Sequence, residues 1–137
     1  MNFAALEELE QFLTANPETQ VLELLMPDLS GVLRAKRIHR SEFERLFNGS
    51  FLTPRSAPLL GIRGDWYDEI PLAEMGGDPD QIIRPVAGTL ALVPWYDSPV
   101  AQVLVVLLQI AFKNFYWRTF SNIFTTFRYS KVKIQSD

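Results

Sequence analysis

The sequence predicts a small α+β domain, a helix lying across a small mixed sheet, followed by a C-terminal tail of different character. Three observations carry this. Apolar residues recur at helical and then at strand spacing, in the order helix, two strands, helix, three short strands. All nine prolines and all seven glycines precede residue 100, where they punctuate those segments. Charge and aromatic content then change abruptly near Leu104 to Val106. Residues 1–104 hold eight Lys and Arg against 15 Asp and Glu, net −7, with nine aromatics. Residues 105–137 hold five against one, net +4, with eight aromatics. We therefore expect a domain over 1–104 and an atypical basic, aromatic tail over 105–137.

The first helix follows from Phe3, Leu6, Leu9 and Phe12–Leu13, with Glu7, Glu8 and Glu10 between them. Asn2 is expected to cap it, and Asn16-Pro17 to end it. Residues 20–27 are largely apolar and read as a central strand. Asp28-Leu29-Ser30-Gly31 is a turn, and the alternating residues 32–39 complete a hairpin. Ser41 and Glu44 have capping-box spacing, so a short helix should follow with Phe43, Leu46 and Phe47 inward. Asn48-Gly49 stops it. Residues 59–63 read as a short strand, 64–87 as a long ordered loop, and 88–96 and 100–106 as two further strands.

Composition excludes several chemistries. The 137 residues, 47% apolar and 21% charged, fit one globular domain with or without a tail. With no cysteine there is no disulfide scaffold, thiolate metal site or Cys nucleophile. The single histidine, His39, makes a Ser-His-Asp triad or a multi-His zinc site an improbable reading; it is expected at the surface. Net charge −3 gives no reason to expect nucleic acid. No secretory signal pattern is present, and the expected compartment is the cytoplasm. Asp65, Asp68, Glu69, Glu74, Asp78 and Asp80 lack the spacing of a calcium loop and read as a solvated acidic loop, with Asp78-Pro79-Asp80 as turn chemistry. Arg34, Lys36, Arg37 and Arg40 form the one basic cluster of the first part. It reads as a solvated strand face ahead of an anion or acidic-subunit contact. No catalytic or metal-ligating residue is assigned.

A resemblance adds to this. Asp28 through Ile38 is similar to the strand-turn-strand signature of the glutamine synthetase family's N-terminal domain, roughly D-x-x-G-x-x-R-G-K-R-I-P. Phe47-Asn48-Gly49-Ser50 looks like that family's F-D-G-S loop. Gly77-Asp78-Pro79-Asp80 through Arg84-Pro85, into Gly88-Thr89-Leu90, resembles the loop and strand that come next. The likeness covers roughly residues 8–104 and is nearer the glutamate–amine ligase branch. It implies a β-grasp fold. Ala35 stands where the family has Gly, and His39 where it has Pro. Asn48 replaces an aspartate that helps bind ammonium in ammonia-using members; an amide offers a cation no negative charge, which suits organic amines.

For the complete family the resemblance implies ATP-dependent phosphorylation of the glutamate side-chain carboxylate, then attack by ammonia or an organic amine. ATP and Mg²⁺ or Mn²⁺ are held by a large C-terminal domain, and the present chain alone is expected to bind none of them. Asn48, Gly49 and Ser50 are the expected substrate-binding residues, lent to an active site shared between neighbouring subunits. The expected partners are further copies of the chain or full-length ligase subunits. A binding module that joins rings of an intact relative is the alternative, and a small membrane-surface protein the third reading.

The tail does not continue the family pattern, so a truncated or frame-shifted product is expected. Its 13-residue apolar run, 100–112, falls short of a membrane span. Its aromatics and cations read as an unselected segment, ahead of binding to a membrane surface or single-stranded nucleic acid.

Overall fold

The computed structural model describes residues 2–28, 30–65 and 77–108. Helix α1 spans Leu6–Ala15. Strands β1 (Val21–Pro27) and β2 (Leu33–His39) form the expected antiparallel hairpin, in register from Val21 opposite His39 to Pro27 opposite Leu33. A 3₁₀ turn, Arg40–Glu42, leads into helix α2, Phe43–Phe47. Strands β3 (Leu52–Pro54), β4 (Asp80–Pro85), β5 (Ala91–Leu92) and β6 (Val100–Leu107) complete the sheet.

The order across the sheet is β2-β1-β6-β4-β3, with β5 also on β6. β6 is the axis. One edge runs parallel to β1, from Val21 opposite Val100 to Leu25 opposite Leu104. The other edge takes β5 at Ala101–Gln102 and β4 at Val105–Leu107. A central parallel pair flanked by antiparallel strands, with both helices sharing one core, is a small β-grasp-like α+β domain, as predicted.

Burial explains why β6 is nearly all apolar. Ala101, Val103, Val105 and Leu107 meet Leu22 and Leu24 of β1 and, from the helices, Leu9, Phe43, Leu46 and Phe47. The alternate residues Leu104 and Val106 form a second cluster on the other face with Val86, beside Phe3 and Leu25. A strand buried on both faces loses polar alternation. The strand runs through Leu104 to Leu107, so the change in composition falls inside an element.

β6 has a gap between its two partners, and Thr89 fills it. The Leu104 N–H donates to the Thr89 hydroxyl at 3.1 Å, and that hydroxyl donates to the Val86 carbonyl at 2.8 Å. The Leu104 carbonyl accepts from the Val86 N–H at 2.8 Å. A buried side chain thus replaces one rung of the ladder, as a buried amide requires.

Several local expectations fail. Asn2 does not cap α1; its carbonyl accepts from Ala87, Ala4 donates to Pro85, and Phe3 bridges Val86. The first residues are used to extend the sheet, and Ala5 stands at the N-cap with no side-chain bond. The capping box does not form either. Ser41 lies inside the 3₁₀ turn and the residue before α2, Glu42, is already helical, so no extended N-cap exists. Residues 59–63 are not a strand: Ala57–Leu59 is a 3₁₀ turn and 61–65 a bonded turn. The expected loop over 64–87 contains β4, and β3 had no sequence signal. β5 covers two residues of the nine expected. Residues 66–76 and 109–137, with most of the acidic loop and of the tail, lie outside the described residues.

Candidate functional site

The Asn48-Gly49-Ser50 loop is built by α2 and held by β4. Phe43, Leu46 and Phe47 are buried at helical spacing and fix the helix on the sheet. The helix ends because Gly49 turns left-handed, at φ 81°. Asn48 itself stays right-handed, so only the glycine uses the freedom expected of both. The Asn48 Oδ1 accepts from the Ser50 N–H at 3.0 Å, and that N–H also reaches the Arg45 carbonyl at 2.9 Å. Phe51 is then buried, and its carbonyl accepts from Ile83 of β4 at 3.1 Å.

Both faces of the loop are thereby set. Asn48 and Ser50 are exposed, and Gly49 faces inward onto Arg84. A Cβ on Gly49 would stand 3.1 Å from the Arg84 Nη1. The three predicted residues are therefore brought together, as a protruding tip that can offer an amide and a hydroxyl. The Asn48 oxygen is used within the loop, so its NH₂ is the group free to face a partner. The tip carries no carboxylate or imidazole that could serve as a general base. The loop is suited to contact.

The basic cluster lies on a largely exposed strand, as expected, and several of its cations also find acceptors within the chain. Asp28 is 1% exposed. Its Oδ1 accepts from the Ser30 and Val32 N–H groups at 2.9 and 2.8 Å, and its Oδ2 from the Arg34 Nε and Nη2 at 2.9 and 2.8 Å. Arg34 continues to the Gly61 carbonyl. Arg37 donates to the Glu23 Oε1 at 2.9 and 2.8 Å and to the Tyr96 hydroxyl at 2.7 Å, with Tyr96 donating to Glu23 at 3.0 Å. Those bonds, from Glu23 first and then Tyr96, raise Arg37 above the ordinary arginine value. Arg40 donates to the Pro17 and Thr19 carbonyls at 2.5 and 3.1 Å. Three of the four cations thus make bonds within the chain, while Lys36 and Arg37 remain exposed on the strand face as expected. Lys36 lies 5.4 Å from the centroid of the Phe51 ring.

The D-x-x-G-x-x-R spacing thus has a structural meaning. Asp28 organises a turn that needs Gly31 at φ 81°, and Arg34 ties the hairpin to the 57–65 segment. Asp78 does similar work: its carboxylate accepts from the Ser56 N–H at 2.8 Å and from its hydroxyl at 2.6 Å. His39 is exposed, with Nδ1 3.5 Å from the Ser41 Oγ. Among the described residues no group of three or more metal-ligating side chains occurs, and no helix is long and apolar enough to cross a membrane. Sequence reasoning missed Arg84 as a neighbour of the loop; only the pairing of β4 on β6 brings it there.

Fold and site define a small β-grasp-like domain that presents an exposed loop suited to contact. No family model matches the chain. Over 102 residues, 74% of its length, it is 34% identical to the gamma-glutamylputrescine synthetase PuuA of Escherichia coli (strain K12). That likeness supports a relationship to the glutamine synthetase family. The chain spans about a fifth of the length of this curated relative, 21%.

Proposed function

We propose that the domain is the N-terminal β-grasp part of a glutamine synthetase-type ligase of the gamma-glutamyl-amine branch. In this reading the complete protein joins an amine to the glutamate side chain through an acyl phosphate. ATP and the divalent metals that neutralise its phosphates are held by parts of the protein beyond this domain. The domain contributes the Asn48-Gly49-Ser50 tip to a pocket completed by a neighbouring subunit, and alone it is inactive.

The single observation that carries this is the 34% identity over 102 residues to a gamma-glutamylputrescine synthetase. The internally hydrogen-bonded, outward-facing tip adds support, since a lent loop must hold its shape without its partner. Asn48 in place of an acid favours an organic amine over ammonium.

The test is a chimera in which residues 1–107 replace the matching segment of the E. coli enzyme. Glutamate, putrescine, ATP and Mg²⁺ are supplied and phosphate release is followed. Assembly with turnover supports the reading; a folded, assembled chimera without turnover overturns it. The chain alone is expected to release no phosphate above blank.

A further inference from the structure

Among the described residues Arg84 is an arginine of the sheet with a buried nitrogen and no acceptor. Arg34, Arg37, Arg40 and Arg45 each donate to an oxygen. The Arg84 Nε is buried and has no hydrogen-bond partner among the described residues, and no carboxylate there pairs with its guanidinium. The side chain is half-buried. Its guanidinium carbon lies 5.4 Å from the centroid of the Phe3 ring, and Gly49 closes on its Cδ and Nη1. Val106, opposite in register, and Val86, two residues on, belong to the second apolar cluster.

The terminal nitrogens of this half-buried side chain are not among the buried unpaired atoms, whereas the buried Nε lacks both water and an acceptor. Leaving it so costs about 1–3 kcal/mol or more. The same low-dielectric setting strengthens its attraction for an anion. We propose that Arg84, beside the 48–50 tip, is the receptor for a carboxylate.

The loop decides for a carboxylate over a phosphate. A phosphate site needs several free N–H groups around a tetrahedral, doubly charged ligand. Here the Gly49 N–H is directed to the Leu46 carbonyl at 3.4 Å, and the Ser50 N–H to Arg45 and Asn48. What remains is one planar cationic fork, which matches two coplanar oxygens and one negative charge. That carboxylate comes either from a free small acid or from an acidic side chain of a second copy. The proposal stands on the surroundings of Arg84 and does not require the ligase reading.

The test follows the Arg84 Nε–H resonance of the full chain by ¹⁵N NMR, assigned by its loss in Arg84→Lys. Dilute protein is titrated with sodium acetate, with sodium chloride at matched ionic strength and with sodium phosphate. A saturable shift with acetate alone, shared by the Gly49 and Ser50 amides and lost in Arg84→Gln, assigns a free carboxylate. If acetate has no effect but the resonance shifts with protein concentration, reversibly and not in Arg84→Gln, the carboxylate belongs to a second copy. Should Arg84→Gln fail to fold, Arg84→Lys keeps the charge without the fork and should weaken acetate binding at least about tenfold, or about 1.4 kcal/mol. No response to either acetate or concentration overturns the proposal. So does phosphate displacing acetate at equal concentration, or an acetate response that survives in Arg84→Gln.

Discussion

Replacing Asp28 by alanine should remove a large part of the stability of this domain. The carboxylate is fully buried and serves four donors, the Ser30 and Val32 amides and two nitrogens of Arg34. Alanine leaves two amides without their acceptor and Arg34, a quarter exposed, with the Gly61 and Ile62 carbonyls but no carboxylate. Breaking a buried ion pair from one side costs about 3–5 kcal/mol, with the stranded amides as part of that sum. A domain of this size has about 5–10 kcal/mol in total. With a urea dependence of about 1.5 kcal/mol per molar, the midpoint should fall by about 2 M or more. Asp28→Asn keeps an acceptor for the two amides but turns an NH₂ group toward Arg34, and should cost about 2 kcal/mol. The assay is urea unfolding of the full chain, followed by circular dichroism. A double-mutant cycle with Arg34→Met should return a coupling of at least about 1.5 kcal/mol. An Asp28→Ala variant within about 0.5 kcal/mol of the parent would refute the clamp, because that is the range of an unremarkable surface change.

Other substitutions test the remaining features. Thr89→Val keeps the shape but strands the Leu104 N–H in the ladder gap, and should cost about 2 kcal/mol by thermal or urea unfolding, with faster exchange of that amide. Gly49→Ala places a Cβ at φ 81° and 3.1 Å from Arg84, and should cost about 1–2 kcal/mol while moving the Arg84 resonances. Ser56→Ala removes the hydroxyl bond to Asp78 and should cost about 1 kcal/mol, with the nearby Gly77 and Asp78 amides exchanging faster. Arg37 is held above its ordinary value by Glu23 and Tyr96. A raised cation value contributes stability that is complete at lower pH and is lost only as pH climbs past the unfolded arginine value. Unfolding of Tyr96→Phe relative to the parent should therefore show no pH dependence between about pH 5 and 9.

Much of the fold was legible because burial writes itself into residue patterns. The β1–β2 hairpin was readable from alternation around a turn with Gly31, and β6 from an apolar run flanked by Pro99. Helix α2 was readable from Phe43, Leu46 and Phe47. β4 was not, because Asp80 and Pro85 bound it and Arg84 sits within it. Its strand character comes from pairing with β6 and not from its composition. The two misplaced caps failed for one reason. Asn2 and Ser41 carry the right side chains, but sheet pairing and a 3₁₀ turn had already set their backbones. The internal partners of Arg37 were not legible because they are remote: Glu23 and Tyr96 lie 14 and 59 residues from it.

Local chemistry was enough to say that this chain holds an α+β domain, that Asn48-Gly49-Ser50 ends a helix in a turn, and that no thiol and only one imidazole is present. Those conclusions depend on residue type and short-range spacing alone. Which side of that turn faces outward, which arginine stands behind it, and which cations are consumed as clamps were decided by the tertiary structure. The physical reason is that a hydrogen bond or an ion pair is specified by where its acceptor lies in space. In this fold the acceptors arrive with strands that are neighbours in the sheet and strangers in the sequence.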